Sequence, residues 1–138
     1  MKRFREIIGK VPAGLLSGVT LALILWFTLA PHPAGDLEIP LFPGADKVVH
    51  GLMFGFLTFV MLLEWMKHRK WQLLQLNLIA IAAFLNAAIG IAIEFIQRAM
   101  GLGRTLEILD MLADSAGAFV GAAIWAVVQS LFAVDSDS

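Results

Sequence analysis

The segment LLQLNLIAIAAFLNAAIGIAI, residues 73–93, runs for 21 residues without a charged side chain. As a helix it rises roughly 32 Å, which matches the ~30 Å hydrocarbon core of a bilayer. Three further apolar runs reach the 18 or more residues of a membrane span: 13–30, 48–65 with its one acid, Glu64, at the end, and 111–134. The whole chain of 138 residues is 59% hydrophobic and 15% charged, against about 25% charged residues in an ordinary soluble domain. The longest stretch outside the four runs, 94–110, has 17 residues. A separate soluble catalytic or nucleic-acid-binding domain is therefore excluded, and nucleic acid is not expected as a partner. The expected fold is an all-α integral membrane protein, a four-transmembrane-helix bundle forming one domain over residues 1–138.

Charge placement gives the expected topology. Lys2, Arg3, Arg5 and Lys10 precede the first run, Lys67, Arg69 and Lys70 lie between the second and third, and only Lys47, Arg98 and Arg104 fall on the other side. The positive-inside rule then puts both termini in the cytoplasm. The first run exceeds the usual h-region of a signal peptide, Pro31 follows it, and Gly14 with Gly18 offers a packing face, so it reads as a retained helix. There is no cysteine, which removes disulfides and thiolate metal sites.

The segment 31–46 holds four of the five prolines and reads as an outer loop, with Asp46 as the expected N-cap of the next helix. Residues 66–72 form a short basic connection flanked by Trp65 and Trp71, placed like interfacial anchors. Small residues four apart, Gly51/Gly55 and Gly117/Gly121 among them, predict close helix packing within the bundle.

The polar residues of the runs gather toward one end. Asn86, Gly90, Glu94 and Arg98 follow at four-residue steps with Gln97 beside them; Glu107, Asp110, Asp114, Gly117 and Gly121 make a second stripe; Asp46 and His50, with Lys47, head a third. Ionisable groups at membrane depth are functional candidates unless they are paired or reach the interface. Asp46, Lys47, His50, Glu94, Gln97, Arg104, Asp110 and Asp114 are thus the candidate ligand-binding residues, with Glu94, Asp110 and His50 the candidates for acid–base work. Lys47 and Arg98 are equally suited to snorkelling toward headgroups.

These residues resemble a known family. IPLFPGADKVVH (39–50), IEFIQ (93–97), and Arg104, Asp110, Asp114 and Gly117 at R-x5-D-x3-D-x2-G spacing are similar to the VanZ-like family, over about residues 38–124. The resemblance implies a small multi-pass protein of the bacterial cytoplasmic (inner) membrane, associated with the cell envelope, whose namesake accompanies glycopeptide resistance and raises tolerance to teicoplanin. The family often carries Asn where this chain has Asp114.

On the outer side, Asp36, Glu38, Asp46, Glu94, Glu107, Asp110 and Asp114 outnumber Lys47, Arg98 and Arg104. Such a balance repels an anionic headgroup unless carboxylates are protonated or a divalent metal intervenes. Pairing of Arg104 with Glu94 or Asp110 is preferred over a metal, because no compact metal-binding spacing occurs. No cofactor is therefore expected, with a divalent metal as the less favoured alternative. The leading functional expectation is binding of an envelope lipid, a lipid-linked peptidoglycan precursor or a lipoglycopeptide at the outer polar cluster. The alternative is a membrane enzyme acting on a lipid-linked headgroup. Ser115 has no evident base, and neither an activated nucleophile nor a phosphate loop supports that alternative. A transporter is ranked last, since polarity is confined to one end.

Overall fold

The computed structural model describes residues 1–29, 44–101 and 108–134; Asp36, Glu38, Arg104 and Glu107 lie outside the described residues. Among these residues the architecture is all-helical: α1 (Lys2–Gly9), α2 (Leu15–Leu29), α3 (Ala45–His68), α4 (Leu76–Ala99) and α5 (Ile108–Val128), the last continued by a single 3-10 turn, Gln129–Leu131. Three helices, Ala45–His68, Leu76–Ala99 and Ile108–Leu131, are long and apolar enough to cross a membrane. The fourth expected span is shorter. Helix α2 has 15 residues, about 22 Å of rise, because Gly14 at φ +81° precedes it and delays its start. The expected Gly14/Gly18 packing face is also corrected, since a Cβ built on either glycine meets nothing within 4 Å.

The distribution of polarity is that of a protein solvated by lipid. Leu52, Leu76, Phe84 and Val127 are exposed, whereas Thr58, Asn86, Glu94 and Asp114 are buried. Water would favour the reverse arrangement, while lipid accepts apolar side chains outside and drives polar ones inward.

Helix α5 packs along both α3 and α4, while α2 rests on α3 and α4. The α3–α5 contact is backbone on backbone. A Cβ at Gly55 would stand 3.0 Å from the carbonyl oxygen of Gly117, and one at Gly121 would stand 2.9 Å from Cα of Gly55. The paired small residues therefore act within the bundle, as their spacing predicts. Because Gly51 meets Gly117 and Gly55 meets Gly121, α3 and α5 run in the same direction, with α4 returning between them.

At the end remote from the polar cluster the chain is tied down by side chains that the apolar pattern does not reveal. The Glu64 carboxylate accepts the backbone N–H groups of Leu16 and Ser17, each at 3.1 Å, and the Ser17 hydroxyl at 2.5 Å. An acid on α3 thus caps α2, satisfying donors that a helix start leaves open. Lys67 Nζ donates to the carbonyl of Val11. Residues 2–9, a basic stretch by sequence, form a helix whose Arg5 donates to the carbonyls of Phe132 and Ala133, both at 3.2 Å. Its Phe4 lies 5.4 Å from Phe132 and 6.5 Å from Trp71, ring to ring. Trp71 is accordingly part of an aromatic cluster. The connection after α3 closes as a Schellman turn, with Trp71 N–H donating to the Met66 carbonyl at 2.8 Å and Lys70 N–H to Lys67 at 3.0 Å. Lys70 and Trp71 both take left-handed φ values, 56° and 63°.

Two stability outcomes follow. Gly121→Leu, which forces α3 and α5 apart, is expected to cost about 1–3 kcal/mol in thermal unfolding of the lipid-reconstituted protein, whereas Gly18→Leu, facing open space, is expected to be near neutral. Equal effects at the two positions would contradict the seam. Glu64→Leu leaves two backbone donors and a hydroxyl unsatisfied and is expected to cost about 1–3 kcal/mol; hydrogen exchange should show Leu16 and Ser17 amides losing protection before those of α4.

Candidate functional site

The seam register determines which side chains meet one turn beyond it. Toward the start of α3 and α5 the helices still run side by side, and the positions above the glycines carry Lys47, His50, Asp110 and Asp114. His50 Nδ1 lies 2.8 Å from Asp114 Oδ1, and Lys47 Nζ lies 2.6 Å from Asp110 Oδ1. Lys47 also reaches Asp46 Oδ2 at 2.7 Å. Lys47, suited by sequence to snorkelling, instead bridges two carboxylates. Asp46 is corrected as well. Gly44, at φ +82°, occupies the N-cap of α3 without a side-chain cap bond, and Asp46 lies in the first turn, where its charge complements the positive end of the helix dipole.

Helix α4 completes the site from its other end. Asn86, Gly90 and Glu94 form a buried stripe, as their four-residue spacing requires, while Arg98, one turn further, is exposed. Gly90 makes room for the neighbouring helix: a Cβ there would stand 2.7 Å from Cβ of Asp114. Glu94 is 1% exposed, and its carboxylate converges on the donor atoms of His50 and Asp110, all three lying within 4.8 Å of one another.

Two polar pairs are structural neighbours and not members of this group. Asn86 Nδ2 donates to Thr58 Oγ1 at 3.0 Å, and Thr58 donates back to the carbonyl of Phe54 at 2.9 Å. Gln97 donates to the carbonyl of Thr28, so this candidate binding residue holds α4 to the end of α2 and does not enter the cluster. Thr58 and Thr28 escape a sequence reading focused on charge, whereas Gly90 is visible in the sequence by its place between Asn86 and Glu94. Arg104, expected to neutralise Glu94 or Asp110, lies outside the described residues.

The chemistry available is that of an imidazole held by one carboxylate and facing two more. With Asp114 as carboxylate, Nδ1–H donates to it, and Nε2 is left to accept a proton or to ligate. The hydrogen-bond partner of the imidazole Nδ1 is Asp114.

A groove of about 630 Å³ between α2 and α3 reaches this end. Asp46 and His50 line it together with Leu23, Phe27, Met53 and Phe56. A second groove, about 760 Å³, follows the glycine seam on the other side of α3, with Lys47 in its lining.

Compared with known protein families, the chain matches VanZ/LLP1 over residues 19–129. No curated protein and no solved structure matches it. The family match takes in most of α2, all of α3, α4 and α5, and every described side chain of the polar end. With four-fifths of its length matched in this way, the chain belongs to the VanZ/LLP1 family.

Proposed function

We propose that this VanZ-like membrane protein binds an amphiphile of the bacterial envelope, with the headgroup at the polar end and the hydrocarbon chain along the groove between α2 and α3. The observation that carries this reading is the composition of that groove: His50 and Asp46 are among its lining residues, together with the apolar side chains of Leu23, Phe27, Met53 and Phe56. Sites for small ligands are characteristically apolar walls with a few placed polar groups. An envelope lipid, a lipid-linked peptidoglycan precursor and a lipoglycopeptide share this chemistry, a polar head on a long apolar tail.

In this reading the polar end faces away from the cytoplasm, where exported precursors and glycopeptides are met. The basic residues support that orientation, seven of the ten falling before α2 or between α3 and α4. The protein then modulates teicoplanin tolerance by binding in place. A second reading, an enzyme acting on a lipid-linked headgroup, is favoured by one observation, the imidazole of His50 set between Asp114 and the carboxylates of Glu94 and Asp110.

Orientation is checked with single cysteines in this cysteine-free chain. An impermeant thiol reagent applied to intact cells is expected to label a cysteine at Asp36 and spare one at Lys67; the opposite pattern would invert the topology. Expression in a susceptible host is expected to raise teicoplanin tolerance more than vancomycin tolerance, because a lipid tail distinguishes the two. Alanine at Glu94, Arg104 or Asp110, or Leu23→Trp to fill the groove, should abolish the shift at matched expression. Unchanged susceptibility and unchanged co-purified lipid in these variants would refute the binding reading. Turnover of a co-purified lipid, lost in His50→Gln, would establish the enzymatic one.

A further inference from the structure

The three side chains that converge at the polar end come from three different helices: His50 from α3, Glu94 from α4 and Asp110 from α5. Spacing along the sequence hides this group, since its members lie far apart in the chain and none forms a compact ligand motif. Their donor atoms all lie within 4.8 Å of one another. Ligands on one divalent ion sit about 2.0–2.2 Å from it, hence up to roughly 4.4 Å apart across the ion, and small side-chain adjustments cover the difference.

The surroundings of His50 match what a metal ligand needs. Its Nδ1 is engaged by Asp114 Oδ1 at 2.8 Å, which fixes the ring and directs Nε2 away from Asp114. Carboxylates bonded to the far nitrogen of an imidazole orient metal-ligating histidines and raise their basicity. Asp114 is itself 1% exposed and is accommodated by the missing side chain of Gly90. Its second oxygen, Oδ2, is buried without a hydrogen-bond partner among the described residues, so the position of this acid is set by the imidazole and not by a wider network.

We propose that His50, Glu94 and Asp110 bind one divalent metal ion at the polar end of the bundle, with Asp114 as the positioning residue for His50. One nitrogen and two carboxylates, with no sulfur, suit an ion of the Mn²⁺ or Zn²⁺ class. Three protein ligands leave coordination positions for water or for the oxygens of an anionic headgroup. Lys47, 2.6 Å from Asp110 Oδ1, engages one oxygen of a group that has two.

The inference deepens the amphiphile reading, because a bound cation turns an acid-rich end into one that attracts phosphate. It rests on the side-chain geometry alone, so a wild-type protein that binds the metal but neither raises teicoplanin tolerance nor co-purifies with an amphiphile would refute the amphiphile reading and leave the metal in place.

The test uses the full-length protein in lipid nanodiscs, stripped with chelator and titrated with Mn²⁺ alone, read by electron paramagnetic resonance. The expected result is saturable binding of one ion per chain with a ¹⁴N coupling from the imidazole. His50→Gln should remove the nitrogen coupling. Glu94→Gln and Asp110→Asn should each weaken binding by at least tenfold while elution and thermal unfolding of the metal-free protein stay as in the wild type. Asp114→Asn should keep the nitrogen coupling and lose about 10–100-fold in affinity, the range for removing a group that orients a ligand. Absence of saturable Mn²⁺ and Zn²⁺ binding to the wild type, or a nitrogen coupling that survives His50→Gln, would overturn the proposal.

Discussion

Direct contact between the backbones of α3 and α5 is the constraint on which the rest of the molecule depends. In lipid there is no hydrophobic force to hold helices together, so association rests on close approach, and Gly51, Gly55, Gly117 and Gly121 provide it. The same contact fixes register. Once Gly51 faces Gly117, the residues nearer the helix starts are committed to each other, which is why His50 meets Asp114 and, further along, Lys47 meets Asp110. Packing and chemistry are therefore not separable here: a slip of the seam by one turn would set each of these charged groups opposite the wrong partner.

The two ends of the bundle use carboxylates in opposite ways. Glu64 is surrounded by donors, two backbone N–H groups and a hydroxyl, an arrangement that stabilises a charge without leaving it anything further to do. Glu94, Asp110 and Asp114 converge instead with an imidazole, and donor atoms of the first two lie within reach of a common ligand. The difference is one of purpose visible in geometry: one acid closes a helix start, the others share a space.

Much of this was legible in the sequence. Apolar run length gave the membrane character and three of the four expected spans, and four-residue spacing of small residues gave the seam. The four-residue ladder from Asn86 to Glu94 placed a polar stripe facing inward, and residues 39–50, 93–97 and 104–117 carried the family resemblance. What was not legible is what depends on contacts between distant segments. Glu64 looked like an acid at the edge of a span because its partners, Leu16 and Ser17, are on another helix. Gln97 looked like part of the cluster because it lies three residues from Glu94, yet its side chain turns to Thr28. Asp46 looked like a cap because capping propensity is local, while the left-handed φ of Gly44 takes that position. The start of α2 at Leu15 is hidden for a related reason: hydropathy cannot see the turn at Gly14 inside an apolar run.

That shorter helix has a consequence for the membrane itself. The 15 described residues of α2 rise about 22 Å, against the ~30 Å hydrocarbon thickness that α3 and α4 are long enough to match. Hydrophobic mismatch of this kind is relieved by local thinning of the bilayer or by drawing polar groups inward. The groove that Asp46 and His50 line opens between α2 and α3. Because the apolar lining of that groove runs along both helices, a molecule residing in the leaflet can meet its polar groups by moving sideways, without leaving the membrane.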